Sequence, residues 1–232
     1  MILGIDHIQF SVAYPEKVER FLQPAGFELA FQGQVVFEDY QQAGALYFEK
    51  PDHISFLTRH DCSLELLSTT QSEVSNKFKL VFKGTPSNEQ LALNFQGVEG
   101  NIEQEIDVLI SYSSNQENSR RLWTALGFEE YSKGGATRFI RKPSVFSKGL
   151  SLEIKEAKDQ DVKKQSSKID SLGASLLSFQ VTNLEKEISK LRSHCLSVTG
   201  PLGVTVNNKS LRVAFFHALS GEVVEFVEMR AA

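Results

Sequence analysis

The chain has 232 residues, 41% hydrophobic and 23% charged, with a net charge of −4 and a pI near 5.8, enough to bury a sizeable core and about the size of two small domains. Its Lys and Arg residues are interleaved with acids, which argues against nucleic acid as a partner, and no apolar run approaches the roughly 20 residues of a membrane span. The two cysteines, Cys62 and Cys195, form neither a disulfide framework nor a paired metal motif, so a reducing, cytoplasmic setting is expected.

Ile8, Phe10 and Val12 alternate with His7, Gln9 and Ser11, the period-2 pattern of a strand with one apolar and one polar face. Pro15 suits the first turn of a helix, Val18, Phe21 and Leu22 give that helix an apolar stripe, and Ala25-Gly26 stops it before a strand resumes at Phe27. Residues 34–50 read as an extra strand or an elaborated loop, and two strands follow near 53–59 and 62–68. Residues 70–101 make no full unit and offer two strands, Phe78 to Phe82 and Leu91 to Gln96. A second unit runs from Asp107 to Ser113, through a helix with Leu122, Trp123 and Leu126, into strands near 128–132, 136–142 and 149–155. The polar stretch 156–172 reads as a solvated linker or connecting helix. A third unit begins near 175, carries Leu184, Ile188 and Leu191 at helical spacing, and ends in strands at 211–216 and 223–227.

These units are copies. Ile5-Asp6-His7 through Gly26-Phe27-Glu28 to Gly33 recurs 101 residues later without a gap as Ile106-Asp107-Val108 through Gly127-Phe128-Glu129 to Gly134, with Glu16 matching Glu117 and Arg20 matching Arg121. A looser copy starts at Leu176-Leu177-Ser178-Phe179. The fold class is therefore α+β, built of repeated βαβββ units. We expect an incomplete N-terminal domain over 1–101 and a complete C-terminal domain over 102–232, the latter pairing the units at 103–156 and 174–230.

A unit that opens with Asp-His-Ile and closes with Ser63-Leu64-Glu65-Leu66 resembles the vicinal oxygen chelate superfamily, the glyoxalase, bleomycin-resistance and extradiol-dioxygenase group. Ala125-Leu-Gly-Phe-Glu129, Val198-Thr-Gly-Pro201 and the run 214–226 strengthen the likeness. The resemblance implies paired units whose mixed sheets curl around a cleft with helices outside. It also implies, in metal-dependent members, one ligand from the first strand and a carboxylate from the last strand of each unit. Such donors suit Mn, Fe, Ni or Zn.

The last-strand carboxylate is present three times, as Glu65, Glu153 and Glu225, whereas the first-strand position is His7, then Val108, then Leu176. His7 and Glu65 are the candidate metal ligands, with Gln9, Ser11 and Ser63 as neighbours. Glu153 and Glu225 are candidate catalytic groups, either paired with Arg138, Arg141, Lys155 or Arg212 or serving as base or acceptor in a metal-free cleft. Val108, Ile110 and Tyr112 with Leu176, Ser178 and Gln180 should line the C-terminal cleft, a largely apolar pocket for a small organic molecule.

The leading expectation is a glyoxalase-like protein that binds such a molecule in the C-terminal cleft with an incomplete metal set. The alternatives are a metal-dependent lyase, isomerase or dioxygenase using His7 and Glu65 with a donor from another unit, and a catalytically inactive interaction or sequestration protein. A symmetric homodimer would bring two first units together.

Overall fold

A computed structural model describes residues 1–44, 46–47, 53–71, 77–85, 88, 98–133, 136–144, 149–157, 168–169 and 173–229. The strand expected at 91–96, the Gly134-Gly135 pair and most of the linker 156–172 lie outside them.

Each copy forms the expected unit. The first comprises β1 (Ile2–Val12), α1 (Pro15–Leu22), β2 (Glu28–Phe37), the one-turn α2 (Tyr40–Gly44), β3 (His53–Thr58) and β4 (Ser63–Ser68). After β5 (Phe78–Phe82) and β6 (Val98–Glu99), the second comprises β7 (Ile106–Ser113), α3 (Gln116–Ala125), β8 (Glu129–Lys133), β9 (Ala136–Arg141) and β10 (Leu150–Glu156). The third comprises β11 (Gly173–Val181), α4 (Leu184–Leu191), β12 (Cys195–Val206), β13 (Lys209–Ala218) and β14 (Val223–Met229). Asn115 and Asn183 cap α3 and α4 by accepting from the amides of Asn118 and Lys186, satisfying donors the first turn leaves unpaired. In α1, Pro15 fills the same need by lacking an amide hydrogen. No helix among the described residues is long and apolar enough to cross a membrane.

The units do not pair as the sequence suggested. Units one and three close a barrel in the order β1-β11-β14-β13-β12-β2-β3-β4, while unit two joins the shortened segment in a six-stranded sheet, β6-β5-β7-β10-β9-β8. The division into 1–101 and 102–232 is therefore not the one that strand pairing follows. The reason is local: β5 occupies the edge of β7, from Phe78 opposite Ser111 to Val81 opposite Val108, so β11 pairs antiparallel with β1 instead.

The main core lies between the outside of the barrel and the second sheet. Ile8, Phe10, Phe179 and Phe226 from the barrel meet Leu109, Trp123, Phe128, Phe139 and Leu152, and edge-to-face contacts run from Phe78 to Trp123, Phe128, Phe179 and Phe226. The apolar face of β1 thus packs outward, and its polar face turns into the barrel. A second apolar cluster, including Val35, Phe37, Ile54, Leu176, Val204, Val213 and Phe215, fills part of the barrel interior. Sheet and barrel are also joined by Glu222, which is fully buried and accepts hydrogen bonds from Ser111 and Ser119, while Ser114 donates to the Ser220 carbonyl.

Candidate functional site

Barrel closure brings His7, Glu65 and Glu225 together. Parallel pairing sets Gln9 opposite Glu65 and Ser178 opposite Glu225, so each last-strand glutamate projects inward beside a polar residue of its first strand. The ladder between β1 and β11 shifts between Ile5 opposite Phe179 and Ile8 opposite Leu177. This bulge sets two residues, Asp6 and His7, against one, and both line the same cavity.

His7 Nδ1 lies 2.9 Å from Asp6 Oδ2, and its Nε2 lies 3.4 Å from Glu225 Oε2 and 3.7 Å from Glu65 Oε2. His7 is 5% exposed and Glu225 8%. Among the described residues neither His7 Nε2 nor Glu225 Oε2 forms a hydrogen bond beyond their mutual ion-pair contact, and Ser178 lies beside Glu225. Burial alone would strip the charge from His7. Glu65, the Asp6 hydrogen bond and Glu225 outweigh it and raise the imidazole to about 9. Burial lifts Glu225 to about 7 against the pull of His7, with Glu65 adding to the rise. Glu65 is raised as well, by burial and by Asp6.

The cluster faces a cavity of about 270 Å³. The polar groups around the cluster, Asp6, His7, Gln9, Glu65, Gln180 and Glu225, come from β1, β4, β11 and β14, with Tyr47 lining the cavity elsewhere. The facing wall is apolar, supplied by β2, β3, β12 and β13 through residues such as Phe31, Phe37, Ile54, Phe56, Val204, Val213 and Phe215. Phe31 stacks on Phe56 at 5.2 Å, and Phe56 meets the His7 ring edge-on at 5.4 Å. Asn207, Lys209 and the exposed Met229 border the cavity at the end where β12 turns into β13 and β14 finishes. The other end is plugged. Gln9 Nε2 donates to the Ile169 carbonyl and to Ser175 Oγ, both at 2.8 Å, and Ser11 donates to the same carbonyl. The Ile169 side chain is fully buried in the interior cluster, so this part of the expected linker is core rather than solvated.

The sequence-derived candidates are divided between two places. His7, Glu65, Glu225, Ser178 and Gln180 meet in the barrel, and Leu176 is buried in its apolar cluster. Val108, Ile110 and Tyr112 lie on β7 of the other sheet, where Val108 and Ile110 are buried, and do not face the barrel cavity. Glu153 also lies there, 3.1 Å from Arg138 and 3.6 Å from Lys155, as an ion pair on a sheet face. The C-terminal cleft expected between units two and three is thus replaced by the barrel of units one and three. Among the expected neighbours, Gln9 and Ser11 anchor the plug. Asp6 and Ile169 had no place in the sequence-level site. Asp6 carried one signal, its position beside His7, but an ideal strand would point it the opposite way.

The divalent ion implied by the superfamily requires grouped donors. The pseudo-symmetric position that would complete the set of His7, Glu65 and Glu225 is Leu176, which is apolar and fully buried. No three acid, imidazole or thiol side chains among the described residues are grouped so as to hold a metal ion. The donor set does not fit.

No family model matches the sequence, and no curated protein matches it. Solved structures share the fold. A provisionally assigned dioxygenase from Bacillus subtilis superposes with a TM-score of 0.59 at 12% identity, over 100% of this chain and 86% of that one. Glyoxalase I from Zea mays superposes with a TM-score of 0.56 at 11% identity, over 98% of this chain and 92% of that one. The chain shares its fold with these two structures.

Proposed function

We propose that this glyoxalase-like chain holds a small, largely apolar molecule in the barrel of units one and three and handles its polar head with His7 and Glu225. The observation that carries this reading is the buried pair His7 Nε2 and Glu225 Oε2, 3.4 Å apart on the polar side of the cavity and, among the described residues, with no hydrogen bond to either atom. Buried polar atoms without partners cost stability, and a ligand head group would satisfy both.

The chemistry follows from the charges. His7, held protonated and oriented by Asp6, presents Nε2–H as a donor to an electron-rich atom. Glu225, lifted to about 7, exchanges its proton near neutral pH and is the acceptor or general base. Burial and the neighbouring Glu65 supply that shift, and water is kept from one end by the Ile169 plug.

The test combines binding with elemental analysis. Small aromatic fragments should perturb the NMR signals of the His7 imidazole and of the backbone at Ser178, Val224 and Phe226, and Glu225→Gln should weaken the binding about tenfold or more. Binding insensitive to Glu225→Gln, or stoichiometric retention of a divalent metal that His7→Ala abolishes, would overturn the reading.

A further inference from the structure

We infer that the barrel's ligand brings the balancing positive charge itself: it is a small apolar amine, bound in its protonated form. This rests on the barrel being the binding site and names the chemical class it takes.

Three carboxylates line the cavity, those of Asp6, Glu65 and Glu225, against two basic side chains, His7 and Lys209. Lys209 is exposed at the turn between β12 and β13, so among the described residues inside the barrel only His7 opposes the three acids. His7 is already committed to Asp6 at 2.9 Å, which leaves Glu65 and Glu225 sharing one imidazole edge at 3.7 and 3.4 Å. Among the described residues no arginine lines the cavity. A carboxylate or phosphate head would therefore meet two glutamates without a matching guanidinium, and like charges at short range repel strongly in an apolar enclosure. The donors are not grouped for a metal ion, and an organic ammonium can balance the same charge without needing a coordination shell. Its N–H groups would be accepted by Glu225 Oε2, whose contact with His7 Nε2 is long at 3.4 Å. Its hydrocarbon body would lie against Phe31, Phe56 and Phe215, whose ring faces also favour a nearby cation.

The test compares three probes of one shape on the full chain at neutral pH: 2-phenylethylamine, 2-phenylethanol and phenylacetate. Affinity is measured by NMR titration, which also maps the site. The amine should bind about tenfold or more tighter than the alcohol, with phenylacetate weakest. Glu225→Gln and, separately, Glu65→Gln should cut amine binding by a larger factor than they cut alcohol binding. Equal or better binding of the alcohol or of phenylacetate overturns the inference, as does zinc binding that depends on Glu225 and that the amine fails to displace. The wild-type series needs no variant, so a misfolded mutant cannot shield the claim. If the alcohol maps to His7 and Glu225 and the amine gains nothing, the cationic class falls and the barrel site stands. If all three probes miss the barrel, both fall.

Discussion

His7 is held by three acids, and its charge state should be measurable. The structure predicts an imidazole pKa of about 9 by NMR titration. Asp6→Ala should lower it, while Asp6→Asn should keep the ring orientation through the amide oxygen. A value near the ordinary 6.5 in the wild type would contradict the cluster. Both His7 and Glu225 titrate higher in the folded chain than in the unfolded one. The stability from His7 is therefore full below about 6.5 and lost as pH rises through about 9, and that from Glu225 is full below about 4.5 and lost as pH rises through about 7. The melting temperature should fall by several degrees between pH 5 and pH 9 in differential scanning calorimetry, about 2–4 °C for each kcal/mol. In Glu225→Gln the part of that fall below pH 7 should shrink, leaving the share of the other raised carboxylates, Glu65 and Glu222. A melting temperature that rises over this range would contradict the assignment. At this scale the sequence singled out His7, Glu65, Glu153 and Glu225, of which the fold brings His7, Glu65 and Glu225 together and sets Glu153 on the other sheet. Asp6 and Ile169 were hidden because a bulge and a long-range plug leave no periodic signature.

Among the elements, the join between barrel and second sheet depends on buried polar groups. Glu222, inaccessible and accepting from Ser111 and Ser119, should be intolerant of truncation: Glu222→Ala leaves hydroxyls unpaired in a dry site and should cost about 2–3 kcal/mol in urea unfolding. A cost under about 0.5 kcal/mol would show that the junction does not depend on it. Lys77 is also buried, with no ion pair among the described residues, and burial lowers it to about 8. The similarly sized Lys77→Met should raise stability at pH 7, with the gain shrinking as the pH approaches 10, where the wild-type lysine is neutral in the folded state. A loss of stability at pH 7 would refute that account. Element boundaries were mostly legible from alternation and helical spacing. The exception is β12, which the sequence reading did not mark as a strand and which contains Gly200-Pro201. A register shift between Thr199 and Leu202 lets the strand pass through it, with Gly200 at φ +111° and any added Cβ 2.7 Å from the Val213 carbonyl.

For the whole molecule, the decisive feature is which copies pair. The internal repeat made the βαβββ units legible, because each carries its own alternation and its own terminal glutamate. It did not reveal the partners. Units one, two and three all have an edge strand able to pair, and the choice is made by burial between distant segments: β5 covers β7, and β1 finds β11. Local sequence patterns do not encode that competition. The consequence is functional, since only the pairing of units one and three sets a histidine against two carboxylates, leaving Glu153 neutralised by Arg138 on another sheet. The most direct test of this account is an NMR chemical-shift map of the full chain titrated with 2-phenylethylamine. The account predicts that the largest shifts fall on His7, Ser178 and Glu225 and their neighbours in the barrel. Shifts centred on Val108, Tyr112 and Glu153 in the second sheet would contradict it.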